Sequence, residues 1–174
     1  MNSRIRTLPL LTAVALIAGL VLGFVVADGN STAPVHNPSG NAIGIHVALG
    51  VVLVAVAGFV TWRTGSLRWL GAPWSRTTGQ RFRYTFAQSR TSPLIVQRAV
   101  GAVLVVAFCL YLVMRVGMQF GYSTDPEMYV NAWGGPTVVG AFLAHLVDAV
   151  LMFGAACLVG HAALLQVDAG EVKD

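Results

Sequence analysis

The stretch "AFLAHLVDAVLMFGAACLVGH", residues 141–161, decides the fold because it is long and apolar enough to cross a lipid bilayer. A helix needs about 20 mostly apolar residues to span the hydrocarbon core. This segment nevertheless carries His145, Asp148 and His161, which hydrocarbon penalises. Such groups are tolerated where they face the interior of a helix bundle or lie near the membrane surface. The stretch therefore predicts a membrane-spanning helix whose polar side chains need partners.

Three further apolar runs precede this segment. The chain has 174 residues, of which 56% are hydrophobic and only 10% are charged. Soluble domains carry about a quarter of their residues as Asp, Glu, Lys and Arg, so a soluble fold is excluded. We predict a single integral membrane domain of the all-α class, a bundle of four transmembrane helices. The predicted spans are about 8–26, 42–62, 96–118 and 136–165.

The basic residues predict the orientation of these spans. Seven of the eleven lysines and arginines lie between Arg63 and Arg98, and Arg4 and Arg6 precede the first span, while the other two loops carry none. By the positive-inside rule the loop 63–95 and both termini are cytoplasmic. We predict a multi-pass protein of the cell (inner or plasma) membrane, in contact with the lipid bilayer. The net charge of +4 then reflects topology, and no nucleic-acid partner is expected.

The first span has two interpretations. A basic start, an apolar run and "VVA" ending at Ala27 are typical of a secretory signal with a cleavage site. The same run places Ala15, Gly19 and Gly23 four residues apart, and small residues at that spacing let two membrane helices approach closely. We predict that the span is retained as a helix.

The two hairpins of the chain can be aligned as tandem repeats. Placing "GIHVALGVVLVAVAG" of the second span over "LAHLVDAVLMFGAAC" of the fourth aligns His46 with His145. A pseudo-two-fold axis along the membrane normal would then put both histidines at the same depth. Two imidazoles on facing helices of a bundle are the axial ligands that a b-type haem uses.

This arrangement resembles one half of haem A synthase, a four-helix bundle with cytoplasmic termini and a histidine near the outer end of its second and fourth helices. The resemblance implies that His46 and His145 are metal ligands that hold haem b between them. The residues leave an alternative open for His145, a neutral imidazole hydrogen-bonded to Asp148 or to a backbone carbonyl.

Asp148 needs a partner of its own. It lies three residues beyond His145 on the same helical face. The free-energy cost of an unpaired carboxylate in that position is roughly several kcal/mol. Arg115, near the outer end of the third span, is the other charged residue deep in a span. We predict an intramembrane ion pair between Arg115 and Asp148, with a haem propionate as the alternative partner of Arg115.

The functional prediction follows from these few groups. The sequence contains no nucleophile elbow, P-loop, zinc-helix motif or dinucleotide fingerprint, so we expect no catalytic centre made by this chain alone. Cys109 and Cys157 lack metal-motif spacing and are expected to be small buried side chains. We predict an accessory subunit or b-type haem carrier that associates with other membrane subunits of a respiratory electron-transfer complex. The alternatives are a purely structural or assembly subunit without cofactor and, third, a small transporter component.

Overall fold

The computed structural model describes residues 7–27, 32–37 and 42–166, and it is helical wherever a membrane span is predicted. All regular elements in these ranges are helices, which confirms the all-α class. Four of them are long and apolar enough to cross a membrane. In chain order the helices are α1 (Thr7–Val26), α2 (Ile43–Thr64), α3 (Arg76–Gln88), α4 (Pro93–Tyr122), α5 (Pro126–Tyr129) and α6 (Val138–Ala163). Arg4, Arg6 and the last eight residues lie outside the described ranges, so the cytoplasmic position of the termini stays a prediction.

Local sequence accounts for where the long helices begin and end. Pro93 stands in the first turn of α4, where its missing N–H costs no hydrogen bond. Thr137 caps α6 by accepting a hydrogen bond from the backbone N–H of Gly140 at 3.0 Å. α2 ends at Gly65, whose φ of 63° is in the left-handed region that glycine adopts without strain.

The four membrane helices follow the spatial order α1, α4, α6, α2. α4 packs between α1, which runs parallel to it, and α6, which runs antiparallel to it, while α2 lies along the other side of α6. α4 and α6 therefore form a tightly packed hairpin, whereas α1 and α2 make little contact with each other. Because the two hairpins pack differently, the tandem repeat is not visible in the structure.

α1 and α4 are in contact through their backbones. Gly19 and Gly23 of α1 are buried, and a Cβ at either position would overlap the backbone of Met114 or Met118. On α4, a Cβ at Gly121 would overlap the backbone of Gly23. The small-residue face predicted on the first span is thus the face that packs on α4.

The basic segment predicted as a loop, 63–95, is largely helical. It contains a 3-10 helix, Leu67–Trp74, followed by α3. The indole N–H of Trp69 donates to Thr61 at 3.1 Å, and that of Trp74 donates to Thr12 of α1 at 3.0 Å. The Trp74 ring also stacks on Phe153 of α6, with centroids 5.6 Å apart. These contacts fix the segment against three of the four spans.

Arg81 of α3 holds the end of α6. Its guanidinium donates to the carbonyl oxygens of Leu165 at 3.0 Å, Leu164 at 2.9 Å and His161 at 3.1 Å. It also donates to Nδ1 of His161 at 2.9 Å, and because an arginine only donates, that imidazole accepts and is neutral. Arg81 is only 8% exposed, and the negative end of the α6 dipole stabilises its charge.

Candidate functional site: a histidine–aspartate pair between α2 and α6

A histidine–aspartate contact links the first turn of α2 to the middle of α6. Nε2 of His46 lies 3.2 Å from Oδ2 of Asp148, the one ion pair within the part of the chain that the structure describes. His46 is 8% exposed, whereas the Asp148 side chain keeps 24% of its surface. The pair joins residues 102 positions apart in the chain, so it depends on the way α2 packs against α6.

The other ring nitrogen of His46 is also engaged. Nδ1 donates to the carbonyl oxygen of Ala42, one turn earlier, at 2.9 Å. A carbonyl and an ionised carboxylate both only accept, so with an ionised Asp148 the ring carries a hydrogen on each nitrogen and is an imidazolium. With a neutral ring, the same proton resides on Asp148, which then donates to Nε2. The hydrogen bond between the buried His46 and the half-buried Asp148 therefore holds one proton that either group can carry.

The segment between α4 and α6 fixes the start of α2 and so the position of His46. The backbone N–H of Ala42 donates to the carbonyl oxygen of Trp133 at 2.9 Å. The Trp133 ring lies beside that of His46, with centroids 6.1 Å apart. A second hydrogen bond to the same segment comes from His36, whose Nδ1 donates to the carbonyl oxygen of Val130 at 2.9 Å. His46 is consequently held from both the helix and the loop.

The four side chains named from the sequence converge on one end of the molecule. His145 lies close enough to His46, Asp148 and Arg115 for all three charges to act on it. His145 is half-buried, and no hydrogen bond joins its ring to another described residue. That these residues share one level of the membrane stays a prediction.

The partner predicted for Asp148 is not the one that the structure gives it. Asp148 pairs with His46, and no contact of salt-bridge length joins it to Arg115 within the described ranges. Both α2 and α4 pack on α6, and depth in the membrane does not specify which of two neighbours a short side chain will meet. His46 meets it because Ala42 already directs the far nitrogen of the ring toward α6.

The described side-chain positions do not fit a bis-histidine haem. An iron ligand needs a free lone pair on one ring nitrogen. Nδ1 of His46 donates to Ala42, as in many ligating histidines, but Nε2, the nitrogen left for iron, faces Asp148. No cluster of three or more His, Cys, Asp or Glu suited to a metal ion occurs among the described residues either. Haem binding by His46 and His145 stays a prediction, one that requires Asp148 to move away from Nε2.

The sequence did not predict that the two cysteines of the chain would meet. Cys109 of α4 and Cys157 of α6 are both free thiols, and they face each other closely enough to interact. Their meeting follows from the antiparallel register of the two helices, which also brings Phe120 to Phe142. A pattern search for metal or disulfide motifs cannot detect this pair, because the spacing that matters lies across the hairpin.

Comparisons with protein families, with curated proteins and with solved structures find no match to this chain.

Proposed function

We propose that this small integral membrane protein is a non-catalytic accessory subunit of a larger membrane assembly and that α2 is the helix that packs on the partner. The observation that carries the proposal is a face of α2 rich in small residues that stays exposed among the described residues. Small residues on a membrane helix permit close approach of a second helix. In α1 and α4 such residues are used for that purpose within the chain.

α2 is attached to the rest of the chain along one side only. The side facing α6 carries His46 and Gly50. A Cβ added at Gly50 would lie at ordinary van der Waals distance from Val147. The opposite side carries four exposed small residues, Gly44, Ala48, Ala55 and Gly58, with the larger Val51 between them. A Cβ added at Gly44 or Gly58 would meet no heavy atom within 4 Å. This side of α2 has room for another helix at backbone distance.

The polar groups of the spans support a non-catalytic role. His46 and Asp148 satisfy each other, and Arg81 and His161 satisfy each other at the inner end of α6. No buried side-chain nitrogen or oxygen in the described ranges lacks a hydrogen-bond partner. Buried polar groups that are hydrogen-bonded within the chain stabilise a fold, which agrees with a structural role for these side chains.

A substitution that blocks the open face of α2 tests the proposal. We expect Ala48→Leu with Ala55→Leu to release the protein from its assembly on a native gel of mildly solubilised membranes, without lowering its own thermal stability. The matched control is Val52→Leu with Val56→Leu, two exposed positions on the flank of the helix, which should leave the assembly intact. A wild-type protein that runs as a single 18.4 kDa chain in a micelle would contradict the proposal, as would an assembly that survives the Ala48 and Ala55 changes.

A second candidate, a b-type haem carrier in respiratory electron transfer, is favoured by the half-buried ring of His145. That ring has no hydrogen bond to a described residue, and it lies near both His46 and Arg115. In His46, the Nδ1–H bond to Ala42 is the kind that orients a ligating histidine, and it would leave Nε2 for a metal once Asp148 is displaced.

A visible spectrum separates the two candidates. A haem carrier purified at full length would give a Soret band and a b-type α-band on reduction, both lost in His46→Ala and in His145→Ala. Because Asp148 competes for Nε2 of His46, Asp148→Asn would raise haem occupancy. A colourless preparation of folded protein would leave the cofactor-free accessory subunit.

A further inference from the structure

The inner segment of the protein carries an unbalanced positive charge. Residues 63–98 contain seven arginines, and no Asp or Glu occurs anywhere between Asp28 and Asp125. Two of these arginines are used to cap α6, Arg81 as described above and Arg98 through a bond to the carbonyl oxygen of Ala162 at 3.0 Å. The five others are exposed and have no ion pair with a described residue: Arg63, Arg68, Arg76, Arg83 and Arg90.

The buried side of α3 determines which way three of these arginines point. Arg81 is tied to the end of α6, and the hydroxyl of Thr85, fully buried, accepts from the backbone N–H of Leu165 at 3.0 Å. These two contacts fix the rotation of α3 about its own axis. Arg76 and Arg83 are seven residues apart, about two turns or roughly 10 Å, and so lie in line on the exposed side. Arg90 follows seven residues later, just beyond the helix end.

The same surface exposes apolar side chains next to the arginines. Leu67 and Leu70 of the 3-10 helix and Phe86 of α3 are 63%, 52% and 40% exposed. A purely polar partner would leave these groups in water. An anionic bilayer surface accepts both kinds of group, because apolar side chains enter the acyl boundary while arginines reach the phosphates.

The geometry points to an anionic-phospholipid surface made by the exposed arginines Arg76, Arg83 and Arg90 of the α3 region, with Arg63 and Arg68 from the preceding segment. The guanidinium groups bind lipid phosphates, and the leucines and Phe86 anchor the segment at the level of the acyl chains. The occupant is lipid headgroup, and the surface is distinct from the α2 face on which the proposed function rests.

Lipid retention by the full-length protein in detergent tests this surface. The protein is exchanged into mixed micelles of detergent with phosphatidylglycerol or with phosphatidylcholine, and bound phospholipids are counted by native mass spectrometry. We expect phosphatidylglycerol to be retained over phosphatidylcholine by at least about tenfold, since each basic side chain near an anionic surface contributes a factor of about five. High salt should abolish the preference, because the arginines are exposed and screened.

The variant Arg76→Gln, Arg83→Gln and Arg90→Gln should lose most of this preference, whereas Lys at the same three positions should keep most of it. Arg115→Gln removes a charge far from the surface and should change nothing. Unchanged circular dichroism and gel-filtration profiles establish that each variant is folded. Equal retention of the two lipids by the wild type would overturn the inference. A preference that survives the three Gln substitutions would do so too, as would one that survives about 0.5 M salt, where the Debye length is roughly 4 Å.

Discussion

The α1–α4 contact and the α2–α6 contact hold two pairs of parallel membrane helices together by different means. α1 meets α4 backbone to backbone at Gly19, Gly23 and Gly121. α2 meets α6 with room to spare at Gly50 and is attached by the hydrogen bond from His46 to Asp148. Lipid tails are as apolar as leucine, so membrane helices associate through close packing or through polar bonds, and this chain uses one of each.

The difference shows which part of the molecule is free to act on something else. A helix held by backbone contact along its length cannot shift without loss of the whole interface. α2 is held by one polar pair and by contacts along one side, so most of its surface stays available for contact with another helix. Substitutions at the two contacts should therefore differ in their effect on stability.

Gly19→Ala should have the largest effect on stability. The new Cβ would overlap the backbone of Met114, which cannot move as a side-chain tip would. Overpacking costs about 1 to 3 kcal/mol where side chains can adjust, so we expect the free energy of unfolding to fall by more than about 3 kcal/mol. Denaturant titration in detergent, followed by circular dichroism, measures it. Gly44→Ala is the control, because its Cβ meets nothing within 4 Å; a similar loss in both variants would contradict the close contact of α1 with α4.

Arg81→Ala should have the next largest effect, because it removes the four guanidinium hydrogen bonds to the end of α6 and leaves that of Thr85 with Leu165. Hydrogen bonds to charged groups contribute about 1.5 to 3 kcal/mol, and we expect a total loss of about 2 to 3 kcal/mol in the same titration. Arg81→Lys keeps the charge without the fork of donors and should recover less than half of the loss. Full recovery with lysine would mean that charge alone, and not the arrangement of donors, stabilises α6.

A double-mutant cycle on His46→Ala and Asp148→Asn should give an intermediate effect. Polar contacts between membrane helices have coupling energies of about 0.6 kcal/mol on average and about 1.7 kcal/mol at most, and a buried pair with a shared proton should lie near the upper value. The matched cycle pairs Asp148→Asn with Arg115→Ala and should show a coupling below about 0.5 kcal/mol, as for independent sites. A stronger coupling to Arg115 than to His46 would restore the ion pair that the sequence predicted.

Gly50→Ala should have the smallest effect. Its Cβ would lie 3.6 Å from a methyl group of Val147, an ordinary van der Waals contact. Alanine is favoured over glycine in a helix by up to about 1 kcal/mol, so the free energy of unfolding should stay equal or rise by less than that. A marked loss in the denaturant titration would show that α2 packs as closely on α6 as α1 does on α4, and the contrast between the two contacts would disappear.

The class of protein and the positions of the spans were predictable from the amino-acid sequence. Stretches of twenty apolar residues cannot be buried in a chain this short except in lipid, and in lipid a backbone must satisfy its own hydrogen bonds as a helix. Four helices at the predicted positions follow from that constraint alone. The spacing of Gly19 and Gly23 likewise indicated a close helix contact, and the level shared by His46, His145, Asp148 and Arg115 followed from counting residues along the spans.

Which helices are neighbours, and which partners the polar groups therefore have, became known from the packing of the helices. Counting residues gives depth in the membrane, but it does not give the order α1, α4, α6, α2 or the rotation of each helix. That order assigned Asp148 to His46 instead of Arg115 and placed Cys109 against Cys157. Apolar helices of similar composition can be arranged in many ways, because no pattern in one helix names its neighbour. The choice among them is made by contacts between residues far apart in the chain.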